Sequence, residues 1–335
     1  MSNYLPVRNE WLALQQEDIL EPDLPIVDAH HHFYDRPGWT YLVDEYLDDM
    51  RSGHKLRASV YMQALTRYRP GGAEALKLVG ETEFVLASAR ALDGSAPRVA
   101  QAIVGHADLR LGAAVREVLQ AHLDAGQGRF RGIRHLSAWD AQPALVNPLS
   151  AAPRGLLLEP AYREGVAQLA ALGLSYDAWL FFAQLPELLE LARRFPGLPI
   201  IVNHCGGIVR IGSYAQHQPE VFATWSRSMR ELAALPNVYV KLGGLGMRIN
   251  GFGFEQGELP PSSRQLADTW KPWMHTLIEA FGAERCMFES NFPVDKGSYS
   301  YATGWNAFKR LAAGASASER QALFSGTASR VYRLG

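Results

Sequence analysis

Residues 25–35 read PIVDAHHHFYD. A short apolar run, Pro25-Ile26-Val27, leads into three consecutive histidines, His30, His31 and His32. Such a run reads as a strand, whose side chains alternate between two faces. His30 and His32 then project together, with Asp28 on their side, while His31 projects opposite. Two imidazoles at a strand end converge on one point and can serve a metal or acid–base chemistry. A solvated loop is the plain alternative. A tag remnant is disfavoured, because the triplet lies inside the chain behind an apolar strand.

Working outward, the same unit recurs. Short runs rich in Val, Ile, Leu and Tyr are each followed by a longer helical pattern. The expected strands are Pro25–Ala29, Ala58–Ala64, Val99–Gly105, Phe130–His135, Ser175–Phe181, Pro199–Asn203, Val238–Leu242 and Cys286–Glu289. Expected helices cover 72–91, 113–125, 160–172, 186–195, 220–235, 263–281 and 318–331, with Pro160 and Pro186 in first turns and Ser318 as a cap. Strand–helix alternation means parallel strands with crossover helices, and eight units predict an α/β fold, a (β/α)8 TIM barrel. A doubly wound open sheet is the rival, weakened because no G-x-G-x-x-G follows the first strand. The expected organisation is an N-terminal extension, residues 1–24, and one barrel domain, residues 25–335. Long loops after strands four and seven, 139–160 and 243–263, read as covers; Trp139 and Phe252–Phe254 are their aromatic residues.

The chain has 335 residues, 47% of them hydrophobic, and a net charge of -1, which fits a globular protein with a large core. Near-neutral charge removes the electrostatic case for nucleic acid or an anionic membrane surface. Two cysteines, Cys205 and Cys286, make no disulfide framework, so a reducing cytoplasm is expected. Residues 1–22 carry charges throughout without an apolar core, so no secretory signal is expected, and no apolar stretch is long enough to span a membrane. Trp270 and Trp273 are either core or a contact between copies, which leaves a homo-oligomer open.

In a barrel the strands' C-terminal ends meet at the active mouth. Here they carry His30 and His32, Gln63, His106 and Asp108, Arg134 and His135, Tyr176 and Asp177, Asn203 and His204, Lys241, and Glu289 to Asn291. His30, His32 and His204 could supply three nitrogen ligands to a divalent metal, zinc suiting imidazole, with a position left open. The alternative is three imidazoles that bond substrate directly without metal. Arg134 and Lys241 are cations on strands expected to be buried. Each either pairs with an internal carboxylate or meets an anionic ligand, and the planar fork of Arg suits a carboxylate.

Five segments together, VDAHHHFYD (27–35), FRGIRH (130–135), PIIVNHCGG (199–207), NVYVKLGGLG (237–246) and RCMFESNFPVD (285–295), resemble the amidohydrolase superfamily, in its lactonase-like branch. The resemblance implies a TIM-barrel hydrolase. It implies that His30 and His32 are a first-strand metal pair, and that His204 is a metal ligand or polarises substrate. Arg134 and Gln184 match positions that contact substrate; Gln63, Tyr176 and Lys241 complete the expected binding set. Asn291 departs from the pattern, standing where similar chains carry aspartate in S-D-W-P. Asn is neutral and cannot serve as a general base, though its oxygen can accept a hydrogen bond. Glu289, Asp295 or a histidine is the expected replacement. The expected activity is opening of a lactone of a carboxylated or polyhydroxylated sugar acid, with or without metal. The alternatives are a metal-dependent non-oxidative decarboxylase and a non-catalytic barrel that binds a small acid.

Overall fold

The computed structural model describes residues 4–94, 96–147 and 151–335. Residues 1–3 of the expected extension and 148–150 of the loop after strand four lie outside these. Eight strands form one all-parallel sheet in chain order. They are β1 (Pro25–His31), β2 (Lys55–Met62), β3 (Arg98–Gly105), β4 (Phe130–Leu136), β5 (Ser175–Trp179), β6 (Ile200–Val202), β7 (Val238–Leu242) and β8 (Cys286–Phe288). Each pairs with the next in parallel. The ring closes just beyond β8. Asn291 N donates to His30 O at 2.9 Å, and His32 N donates to Phe292 O at 2.8 Å. The closure therefore runs through the histidine triplet itself.

The barrel is filled by small and branched side chains: Val27, Ala29, Ala58, Val60, Ala102, Val104, Ile201 and Met287. Ala328 and Tyr332, from after β8, complete this interior. Around it pack the crossover helices. Leu185–Arg194 buries Leu185, Leu188, Leu189, Leu191 and Ala192, with Pro186 and Glu187 in its first turn and Arg193 and Arg194 in its last. That is the apolar stripe and charge order an amphipathic helix requires. Each buried leucine contributes roughly 1.5–3 kcal/mol. In Ser263–Phe281, Trp270 and Trp273 are buried, Trp273 edge-on to Phe222 and Trp225. Both pack into the core of the chain.

Three elements differ from expectation. The final helix is capped by Ser316, not Ser318: Glu319 N donates to Ser316 Oγ while Glu319 accepts from Ser316 N at 2.8 Å. Helices Val43–Met50 and Tyr301–Leu311 were not anticipated. The N-terminal residues run along the barrel, where Trp11 Nε1 donates to Gly257 O and Glu17 accepts from Ser263 N. Among the described residues no helix is long and apolar enough to cross a membrane.

Candidate active site

Strand β1 does not keep simple alternation. Its pairing with β2 slips between Asp28 and His31. Val27 and Ala29 face the barrel interior, and the slip then turns His30 and His32 inward. Asp28 is thus on the outer face, not beside the pair. It accepts from Ser290 N (2.9 Å) and Oγ (2.6 Å), Tyr46 OH (2.9 Å) and Tyr301 OH (3.0 Å), stitching β1 to the turn after β8. His31 also faces outward, stacked on Tyr46 at 3.9 Å and 3.0 Å from Ser59 Oγ. Burial lowers its imidazole to about 3, so it is a neutral structural ring.

Inward, His32 Nδ1 lies 2.8 Å from Met62 O. A carbonyl only accepts, so Nδ1 carries the proton and Nε2 presents its lone pair, 3.1 Å from His30 Nε2. Arg134 Nη1 lies 3.2 Å from His30 Nε2. Its Nε donates to Gln63 Oε1 (2.9 Å) and Nη2 to Gln63 O (2.5 Å). From β6, His204 Nδ1 is 2.7 Å from Glu289 Oε1, which also accepts from His204 N at 3.1 Å. The other oxygen, Oε2, is 2.9 Å from His30 Nδ1 but receives no aligned hydrogen bond. Burial pushes the Glu289 carboxyl up to about 8, against the pull of Lys241. Burial likewise drives all three imidazoles well below their ordinary value.

The Gly243-Gly244 pair after β7 makes room for this cluster. A Cβ on Gly244 would lie 2.3 Å from His204 Nδ1, and one on Gly243 would lie 2.4 Å from Glu289 Cγ. His204, Cys205 and Asn291 have φ of +52°, +53° and +56°, left-handed values that non-glycine residues adopt at a cost of order 1 kcal/mol or more. Asn291 Nδ2 donates to Asp295 Oδ1 at 2.8 Å, leaving the buried Oδ1 of Asn291 without a donor. Asp295 also accepts from Gly246 N and Tyr299 OH, and burial raises it to about 7.

These groups lie beneath a cavity at the C-terminal mouth. About 90 Å³ of it is open to the centres of water-sized molecules, several times what one water needs. His32, His204, Arg134 and Asn291 line it; His30 and Glu289 stand behind. Of the expected binding residues, only Arg134 lines the cavity. Gln63 holds Arg134. Lys241 is the internal pair, 2.9 Å from buried Asp177 and 3.4 Å from His30 Nδ1. Gln184 braces loops, donating to Ser137 O and accepting from Trp139 N. Tyr176 points outward to Tyr162, 2.8 Å between hydroxyls. The strand phase explains this: Asp177 is inward, so Tyr176 is not. Both expected cover loops reach the mouth, through Leu145 and Asn147 of 139–160 and Met247 and Ile249 of 243–263, while their aromatic residues Trp139 and Phe252–Phe254 do not line it. Tyr4 and Tyr34 line it too; Tyr34 follows His32 by two residues and stacks on it at 5.4 Å, whereas Tyr4 comes from a segment that no strand-end reading covers.

One atom each from His30, His204 and Glu289 lie within 4.8 Å of one another, all buried. This donor set, with an orphaned carboxylate oxygen, fits a divalent cation. His32 adjoins it through Nε2.

A family model described as Amidohydrolase matches residues 27–334. Protein y4mH of Sinorhizobium fredii is 33% identical, over 93% of this chain and 99% of its own. An L-fucono-1,5-lactonase of Burkholderia multivorans is 29% identical, over 92% of this chain and 96% of its own. A Burkholderia multivorans amidohydrolase crystallised with bound zinc superposes with a TM-score of 0.70 at 27% identity, covering 92% of this chain and 99% of that one.

Proposed function

The chain belongs to the amidohydrolase family, and from that premise we propose that it is a hydrolase that opens a cyclic ester and releases the ring-opened acid. Relatives named as lactonases support the reaction. The observation that carries it is the gathering of His30, His204 and Glu289 from three strands behind a cavity floored by Arg134.

Arg134 is the group for the acyl oxygen and for the product carboxylate. Three of its five N–H groups are committed, two to Gln63 and one toward His30, which leaves two for the ligand. Their preorganised positive charge stabilises the oxygen as negative charge develops on it. Asn291 Oδ1 accepts a hydrogen bond from the attacking water, and Asp295 holds the amide in that orientation. Glu289 takes the place of the missing strand-eight aspartate. Its Oε1 stands 2.7 Å from His204 Nδ1 and fixes the imidazole that borders the cavity. A divalent cation, zinc by the preference of imidazole, would be held by His30, His204 and Glu289. When bound it would supply Lewis acidity at the ester carbonyl.

The test is ring opening, followed as acid release over a lactone panel, with metal content measured on untagged protein. We expect turnover with about one zinc per chain. Glu289→Gln and His204→Ala should lower both. Carbon dioxide released from an aromatic acid, without ring opening, would replace the lactonase reading with a decarboxylase. Binding of small acids without either chemistry would leave a non-catalytic barrel.

A further inference from the structure

We infer that the ring opened here carries an apolar or aromatic substituent rather than the hydroxyls of a sugar lactone. This rests on the lactonase reading and narrows it, and it departs from the polyhydroxylated substrate expected above.

The cavity is divided by chemistry. The polar side chains at the strand ends are His32, His204, Arg134 and Asn291, and Tyr4, Tyr34 and Asn147 add polar groups elsewhere on its lining. The ester needs the strand-end groups for its carbonyl and for water. Above them the walls are Leu136, Leu145, Trp179, Phe181, Met247 and Val294. Trp179 stands edge-on to Phe181 at 6.1 Å and to His204 at 4.8 Å, so an indole borders the reacting position. At the rim, Asn147 Nδ2 donates to Tyr4 OH at 3.2 Å, and Tyr4 packs on Trp39 at 4.9 Å. A polyol in this space could pair hydroxyls with Tyr4, Tyr34 and Asn147, but those turned to Leu136, Leu145, Trp179, Phe181, Met247 and Val294 would meet hydrocarbon. Each hydroxyl stripped of water without a partner weakens binding roughly tenfold or more. A flat or alkyl substituent against the same walls gains from burial and from stacking.

Two lactones of equal ring size separate the cases: dihydrocoumarin, fused to an aryl ring, and gluconolactone, which is polyhydroxylated. After correction for spontaneous opening, kcat/KM should favour dihydrocoumarin by on the order of a hundredfold. Equal or reversed preference with real turnover overturns the inference and leaves the lactonase reading intact. Leu145→Asn should raise KM for dihydrocoumarin several-fold with kcat little changed. Calorimetry of the ring-opened acids reads the inference without catalysis. 3-(2-Hydroxyphenyl)propanoate should bind more tightly than gluconate, with a negative heat-capacity change. If neither lactone opens, the lactonase reading rests on the wider panel and the binding comparison alone decides the preference; gluconate binding as tightly or more tightly overturns the preference.

Discussion

Two groups of histidines lie near one another in the barrel, one on the elements of β3 and β4 and the helix Val115–Gly126 between them, one at the mouth, and they have opposite fates. His106, His122 and His135, with β3 and β4, are tied to the backbone or to a hydroxyl. His106 Nδ1 meets Arg134 O, His122 Nε2 meets His106 O and His122 Nδ1 meets Thr82 Oγ; Leu109 N donates to His135 Nδ1. His30 and His204 instead meet side chains that carry or attract charge, Glu289, Arg134 and Lys241, and His32, braced through Nδ1 on Met62 O, turns its Nε2 to His30 and the cavity. Both groups are held neutral by burial. What separates them is the kind of partner. A ring whose nitrogens bond main chain is a brace, and a ring facing a titratable group beside a cavity can do chemistry.

That contrast can be broken in several ways. The largest effect should come from the reactive group. Glu289→Gln removes the carboxylate that serves both His204 and His30, and kcat should fall about two to four orders of magnitude, read by ring-opening kinetics. Arg134→Ala should cost about 10²–10³ in kcat/KM, since it removes donors at the acyl oxygen. Arg134→Lys should recover little, because a lysine cannot bond Gln63 at two points while facing the cavity.

A smaller effect should follow Asn291→Asp. The new carboxylate would face Asp295 Oδ1 where an amide now donates at 2.8 Å. Asp295 is already raised to about 7, so one carboxyl of the new pair should keep its proton at neutral pH, and stability should fall by about 2 kcal/mol or more as the pair is ionised above it, read as a denaturant midpoint that drops with rising pH. Unchanged stability would mean that the Asn291–Asp295 bond is not holding the turn.

The bracing group should be silent in activity and visible in acid. Burial depresses His122 from its ordinary 6.5 to about 4 in the folded chain. The unfolded chain then binds the extra proton between those values. Stability is therefore fully present above pH 6.5 and falls as pH drops toward 4, by at most about 1.4 kcal/mol per unit. His122→Gln should flatten that acid limb, measured as unfolding free energy at pH 7.5, 5.5 and 4.5, with kcat unchanged at pH 7.5. An identical slope in variant and wild type would remove His122 from the account.

The eight barrel strands were legible because each is a short run of branched side chains between helical patterns, as in Val99–Gly105. The histidines were legible because a strand end aims them. Strict alternation puts Asp28 on their face and the structure does not, because a slip in strand pairing leaves no mark in the residue order. Tyr176 was preferred over Asp177 for want of the phase of β5, although a charged residue inside a strand was itself a signal. Tyr4 reaches the mouth from a segment without periodicity, so only the folded chain reveals it. Gly243-Gly244 could be read as a motif, but its reason is the bulk of His204 and Glu289 behind it.

Tyr332 enters the barrel from the end opposite the mouth. Its hydroxyl donates to Asp177 Oδ1 at 2.8 Å, and its ring lies 5.2 Å from Lys241 Nζ. The polar layer under His30 is therefore sealed by a residue that follows all eight strands in the chain. On the ribosome, His30 emerges long before Tyr332. Until that tyrosine arrives, the Asp177–Lys241 pair stands open to solvent from below, and the first histidine has no finished floor. A nascent chain with all eight strands but not yet Tyr332 is thus a ring without a bottom, and this protein should acquire its reactive centre only once the segment that follows β8 has docked.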